Sequence, residues 1–360
     1  MKFKMPELDD FMDRLSINDN YIKGDGHANL SSKYQTIENA SGIIAGSSRI
    51  EARNIRTWKY QDDMGVPVQV RRFMELDLFT IENLFRFVYG FTPEGFLKNR
   101  LKKQALLDDL RIIEKYGYLD LLRKFPVDKT PLVRDIYRHR GVSFNLRYLR
   151  YIYIVGQIKQ FKLLNQNYGQ VHVDLGNFYG GLQSILKFEF PNVTYISVEL
   201  PHQLYRSFCY HKIQFPDTKQ IVGKNEFLQF CKSSRAKKSV FVYLLPEDFR
   251  LIGRYLKVDL LTNYLSLGEM SRANFDYYMA TETMKEAKIL HFVNRFVSSP
   301  KFDSTYDGDM NILDYLLKTH KLDFLDVFPI HHFMLNFRKF DGYRGIRNAS
   351  SPQFEMMFSR

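Results

Sequence analysis

Val173-Asp174-Leu175-Gly176-Asn177-Phe178-Tyr179-Gly180-Gly181-Leu182 is the stretch on which the fold turns. A short β run, VHVDL at 171–175, feeds a glycine-punctuated bend, and a helical pattern over 182–190 follows. Gly176 permits a sharp exit from the strand, since a residue without Cβ adopts positive φ freely. Gly180 and Gly181 let the next helix approach the strand closely and leave backbone amides open. Asp174, two residues before the first glycine, narrows the ligand. A carboxylate there repels a pyrophosphate but attracts a cofactor carrying an ammonium and a sulfonium. Glu199 lies 23 residues after Gly176, at the end of the next strand, where such sheets place a ribose-binding carboxylate.

Downstream the same grammar continues. Residues 193–200 read as a second strand, closed by Pro201 and followed by a helix near 202–212. Residues 239–245 and 258–263 supply a third and fourth strand, 272–287 a helix and 289–296 a fifth strand. This βαβα order implies a parallel sheet with helices on both faces. Near the end, Phe333, Leu335 and Phe337 alternate, as do Phe354, Met356 and Phe358, around a glycine-containing loop at 341–345. That is the mark of an antiparallel hairpin with a long loop. Upstream, Ser143 is the expected N-cap of a helix carrying Leu146, Leu149, Ile152, Val155, Ile158 and Phe161 on a broad apolar face. Residues 78–125 read as helical, with Leu106, Leu110 and Ile113 on one face and Gly117 as a stop. Residues 1–50 read as a loose, turn-rich lead-in.

Composition bounds the function. A hydrophobic share of 45%, with 31 Phe and 23 Tyr, supplies a core and argues against disorder. No apolar run approaches the ~20 residues that cross a bilayer. The opening MKFKMPELDD lacks the apolar centre of a signal peptide, so the expectation is a cytoplasmic protein without a membrane span. Two cysteines, Cys209 and Cys231, are too few for a disulfide framework and lack metal-ligand spacing. The net charge of +12 invites an anionic partner, yet it divides as +6 over 1–150 and +6 over 151–360. No basic tail singles out nucleic acid.

The stretch DLGNFYGGL at 174–182 resembles the first motif of class I S-adenosylmethionine-dependent methyltransferases. More narrowly, it is similar to the sugar O-methyltransferases of bacterial surface-polysaccharide gene clusters. SFNLRY at 143–148, VELP at 198–201 and DLLTN at 259–263, continuing to Ser266 and Glu269-Met270, share that narrower resemblance. The sequence departs from the family at Asn177 and Phe178, where glycine is usual, and at Tyr264-Leu265, where a histidine often stands. The resemblance implies a Rossmann-like methyltransferase domain over 142–360, its parallel strands finished by the C-terminal antiparallel hairpin. Residues 1–141 become a mainly helical N-terminal extension, with acceptor binding as a role open to it. The implied cofactor is S-adenosyl-L-methionine. Asp174, Gly176, Asn177, Phe178 and Gly180 would form its turn and Glu199 would hold its ribose. Asn263 would line its methionine end and Arg147 would pair with its carboxylate. The implied acceptor is a hydroxyl of a sugar or nucleotide-sugar.

Methyl transfer to an alcohol needs alignment and a proton acceptor, because the cofactor arrives already activated. Glu269, beyond the fourth strand, and His331 are the candidate bases. Glu269 also reads as a helix-start carboxylate near Arg272. His331 and His332 would face opposite sides of a strand, so at most one faces a given cleft. Asp307 and Asp309 are too few to claim a metal, and none is assigned. Five arginines over 134–150, and Trp58 with Arg53, Arg56 and Lys59, suit either an anionic acceptor or plain solvation. Two other readings stay open: an RNA methyltransferase, and a degenerate, non-catalytic Rossmann module used for protein binding. Assembly into a homo-oligomer is left open as well.

Overall fold

The structure, a computed structural model, describes residues 8–15, 93–127, 137–166, 169–233, 239–270, 272–297, 310–330, 335–337, 346–348 and 353–360. These fall into two compact units, one drawn from 1–56, 157–328 and 352–360, the other from 57–156 and 329–351.

The chain opens with α1 (Leu8–Leu15), which belongs to the larger unit. In the smaller unit, α2 (Pro93–Lys115) and α3 (Leu119–Lys124) precede an antiparallel ribbon of β1 (Tyr137–His139) and β2 (Val142–Phe144). Leu106, Leu110 and Ile113 are buried as their spacing predicts, and Gly117 follows α2 at φ +76°. The next helix, α4 (Leu146–Gln160), contains the boundary between the units. Leu146, Leu149, Ile152, Val155 and Ile158 are buried along it, while Phe161 falls beyond its end and is exposed. Its cap is Asn145 and not Ser143. Asn145 Oδ1 accepts from Tyr148 N at 2.8 Å, satisfying an amide that the helix itself leaves open, whereas Ser143 is engaged in β2.

The larger unit then runs β3 (Val171–Leu175), α5 (Gly181–Glu189), β4 (Thr194–Val198), α6 (Pro201–Gln214), β5 (Gln220–Val222), α7 (Gly223–Lys232) and β6 (Phe241–Leu244). It continues with α8 (Phe249–Tyr255), β7 (Leu260–Tyr264), α9 (Arg272–Ala280), α10 (Glu282–Glu286), β8 (Ile289–Arg295) and β9 (Lys321–Val327). In the smaller unit β10 (Leu335–Phe337) pairs with β11 (Ile346–Asn348), and β12 (Gln353–Ser359) closes the chain in the larger unit. The main sheet has the order β5-β6-β4-β3-β7-β8-β12-β9. Its strands from β5 to β8 are parallel, and β12 runs antiparallel to both β8 and β9. This is the Rossmann-like class I methyltransferase sheet, with a short extra strand, β5, on one edge. Chain order reverses between β3 and β7, the switch point at whose carboxyl edge such sheets bind ligands.

Several elements differ from the sequence reading. The hairpin partner of β12 is β9, while residues 335–337 form a separate ribbon with 346–348. The helix expected over 272–287 is broken at Thr281, whose side chain caps α10 by accepting from Met284 N. Residues 8–15, expected to be loose, form α1. There Phe11 packs on Tyr205, Phe208 and Tyr243, and Arg14 pairs with Glu226 at 2.7 Å.

The two sheet faces have different chemistry. One is aliphatic: Val173, Leu175, Ile196, Val198, Leu261 and Phe292 pack with residues of α7 to α10. The other is polar and aromatic, and just as buried. Register puts Asp174 beside Ser197 and Thr262, and Thr262 beside His291. Buried polar groups must find one another, and on this face they do.

Candidate functional site

Asp174 lies near the end of β3 and Gly176 just after it, Glu199 follows β4, and Tyr264 ends β7, so these residues gather at the carboxyl edge beside the switch point. The turn after β3 is built by hand-offs between them. Gly176 sits at φ +83° and its N–H donates to Val198 O at 2.9 Å. A Cβ at that position would stand 2.3 Å from Ser266 Cβ and Oγ, so glycine alone fits beneath the segment that follows β7. Phe178 adopts φ +58°, a left-handed conformation that favours glycine. Two bonds hold it: Phe178 N donates to Glu199 Oε2 at 3.2 Å, and Phe178 O accepts from Ser207 Oγ at 2.9 Å. Gly180 starts α5 at φ +81°; its N–H donates to Asn177 O, and its carbonyl accepts from His211 Nε2 at 2.9 Å.

The amides at 176, 178 and 180 are therefore engaged within the protein. These three donors are withdrawn from any ligand over the bend.

Asn177 and Asn263 turn inward. Asn177 Nδ2 donates to Gln183 Oε1 at 3.2 Å and to Ser197 Oγ, while its Oδ1, 2.8 Å from Ser207 Oγ, shares that hydroxyl's one proton with Phe178 O. Asn263 Nδ2 donates to Leu175 O at 2.6 Å, and its Oδ1 accepts from Leu267 N at 3.0 Å and Asn294 Nδ2 at 2.9 Å. Both are buried, Asn177 within the turn as expected of it and Asn263 bracing it from the end of β7.

The carboxylates behave differently. Asp174 is buried, and its Oδ1 accepts from Thr262 Oγ1 at 2.8 Å. With its one proton so placed, Thr262 Oγ1 accepts from His172 Nε2 at 2.9 Å. Burial raises Asp174 to about 7; Thr262 opposes the rise and Glu199 adds to it. Glu199 is half-buried at the surface of the crevice, and its Oε1 accepts from Leu200 N at 2.9 Å. Burial likewise raises it to about 7, against the backbone bonds from Leu200 and Phe178.

A carboxyl whose folded value exceeds its unfolded value of about 4 takes up a proton on folding. Its favourable contribution is full below about pH 4 and is lost as pH rises through about 7. Asp174→Asn keeps the oxygen that Thr262 needs and removes the buried charge. It should melt at least about 2 °C above wild type at pH 8, with the gap closing at pH 4. A variant that melts lower at both pH values would show that the charge does not burden the fold.

The remaining candidates lie in the smaller unit or outside the described residues. Arg147 stands half-buried in the first turn of α4, within the smaller unit. Glu269 ends the 3-10 turn Leu267–Glu269, but its side chain lies outside the described residues. So do His331, His332, Asp307, Asp309 and the segment around Trp58. Cys209 and Cys231 are free thiols. Among the described residues no cluster of His, Cys, Asp and Glu could hold a metal, and no helix is long and apolar enough to cross a membrane. Sequence reasoning missed Ser207, His211 and the Tyr264–His291 pair. The available signal was a polar residue at every second position, His172 and Asp174 in β3 and Thr262 and Tyr264 in β7.

No family model matches the sequence, and no curated protein does. Solved structures do. The chain is similar to the methyltransferase domain of bacterial CtHen1-CN at 12% identity, over 60% of this chain and 100% of that one, with a TM-score of 0.34. It is similar to an S-adenosylmethionine-dependent methyltransferase from Clostridium acetobutylicum ATCC 824 at 11% identity, covering 58% and 89%, with a TM-score of 0.32. Magnesium protoporphyrin IX methyltransferase (ChlM) from Synechocystis PCC 6803 with bound SAM matches at 10%, covering 58% and 77%, with a TM-score of 0.34. Likeness at these values adds nothing to the strand order, which stands on its own register.

Proposed function

We propose that the chain is an S-adenosylmethionine-dependent methyltransferase whose adenosyl group lies over the turn at 176–180, between Asp174 and Glu199. One observation carries the reading. Two carboxylates stand at the ends of adjacent strands, over a turn whose amides at 176, 178 and 180 already have partners. The two carboxylates offer acceptors, and three of the turn's donors are already used. Such a site suits ribose hydroxyls and a cation, and it disfavours a pyrophosphate. Each Glu199 oxygen keeps a lone pair beyond its backbone bond, enough to hold a ribose diol. Asp174, with its pKa near neutrality, ionises readily as a cationic ligand approaches. When bound, the cofactor supplies an electrophilic methyl group; the protein's share is to align the acceptor, exclude water and receive a proton.

The finer reading is an O-methyltransferase for a sugar hydroxyl, on a nucleotide-sugar or a surface-polysaccharide intermediate, with residues 1–141 available for acceptor binding. Its support is the sequence resemblance, of which the stretches at 174–182, 198–201 and 259–263 meet at this one sheet edge. The test is transfer of labelled methyl from the cofactor into nucleotide-sugars, envelope glycans and total RNA. Label in a sugar ether is the expected result. Label in RNA alone would overturn the acceptor assignment, and cofactor binding without any transfer would favour a non-catalytic module.

A further inference from the structure

Three side chains on the polar sheet face form a hydrogen-bonded line that ends at the switch point. Glu355 on β12 and His291 on β8 have no solvent exposure, and His291 Nε2 lies 2.7 Å from Glu355 Oε1. His291 Nδ1 lies 3.0 Å from Tyr264 Oη. Tyr264 is the last residue of β7 and alone of the three is partly exposed.

Elementary hydrogen-bond rules give the line a direction. A carboxylate accepts only, so an imidazole in its neutral form carries the proton on Nε2 beside Glu355 and leaves Nδ1 as an acceptor for the phenol. Burial first, then repulsion from Asp174 and Glu355, holds the Tyr264 hydroxyl protonated well above its usual range. Tyr264 is thus a donor to His291, with lone pairs to spare, and Asp174 is close enough to act on it. Burying a carboxylate and an imidazole carries a desolvation cost that residues of similar volume and no charge would avoid. Packing alone does not call for this trio.

We propose that Tyr264 is the catalytic proton acceptor of the methyl transfer, with His291 and Glu355 as positioning residues behind it. The proposal rests on the methyltransferase reading of the site. In the step, the acceptor oxygen bonds to the methyl carbon as the sulfur–carbon bond breaks, and that electron pair stays on sulfur. The hydroxyl proton passes to Tyr264 Oη while the proton of Tyr264 passes to His291 Nδ1. The resulting imidazolium is held against Glu355. No oxidant or further reactant is needed, and the proton leaves by the reverse path through Tyr264.

The test compares wild type with Tyr264→Phe and Glu355→Gln, in the full chain. Calorimetry with S-adenosylhomocysteine should give a Kd within about threefold of wild type for Tyr264→Phe. Methyl transfer to the panel acceptor should fall at least about 100-fold, in kcat rather than in KM. Nitrogen-15 shifts of His291 read the line without any acceptor: the Nε2–H form in wild type, and a mixture of tautomers in Glu355→Gln. Should Glu355→Gln fail to fold, Tyr264→Phe, which removes a single oxygen and keeps the ring, still decides. Undiminished transfer by Tyr264→Phe, or an Nδ1–H form of His291 in wild type, would overturn the relay and leave the cofactor site standing. Failure of wild type to bind S-adenosylhomocysteine would instead bring down the site reading, and the relay with it.

Discussion

Glu199→Ala should weaken S-adenosylhomocysteine binding by at least about 100-fold while the protein keeps a cooperative melt. A hydrogen bond to a charged group contributes about 1.5–3 kcal/mol. Loss of two from a ribose diol therefore removes about 3–6 kcal/mol, which is two decades or more in Kd. A second effect runs the same way. Glu199 Oε2 anchors the amide of Phe178, a residue held at φ +58°. Without that anchor the turn can relax towards conformations that suit a side chain better, and the shape of the cradle goes with it. Glu199→Gln retains one oxygen and introduces an amide that meets a hydroxyl donor to donor, so its affinity should fall between the two. Calorimetry on all three proteins is the check, and unchanged affinity in both variants would take Glu199 off the ribose.

Gly176→Ala should be the most damaging single methyl in the site. Its Cβ would stand 2.3 Å from Ser266 Cβ and Oγ, at φ +83°. Left-handed backbone costs a residue with Cβ about 1–2 kcal/mol, and overpacking typically about 1–3 kcal/mol more. Together these should lower the melting temperature by roughly 5–15 °C. Ser266→Gly removes the colliding atoms and leaves the backbone penalty in place. The double variant should therefore recover about half of the loss, and the non-additivity reports the contact directly. Additive effects would show that the turn and the segment after β7 do not touch there.

Much of this was readable beforehand, and the reasons are local. β3, β4, β7 and β8 are short apolar runs closed by turn residues, and the offset from Gly176 to Glu199 follows from one strand–helix–strand unit. What escaped depended on distant partners. β9 reads KLDFLDV, without clean alternation, because it is an edge strand bonded to β12 alone, with Leu325 and Val327 exposed. β5 spans three residues, too few to carry a period. The partner of the Phe178 amide was not legible because Glu199, which takes it up, lies 21 residues further on. Asn263 looked like a pocket residue from its place at a strand end. Its amide is used on Leu175, 88 residues earlier, and on Asn294, 31 residues later, partners that no local pattern announces. Tyr264, His291 and Glu355 come together only through the sheet register; between His291 and Glu355 the chain runs 64 residues.

The whole assignment depends on a crevice built to accept hydrogen bonds and positive charge. Calorimetry of the unmodified protein at pH 8, where Asp174 and Glu199 are both ionised, tests this most directly, with S-adenosylhomocysteine and NADH as paired titrants. A saturable single-site isotherm with S-adenosylhomocysteine and no heat with NADH is the expected result. Saturable binding of NADH, or none of S-adenosylhomocysteine, would contradict it.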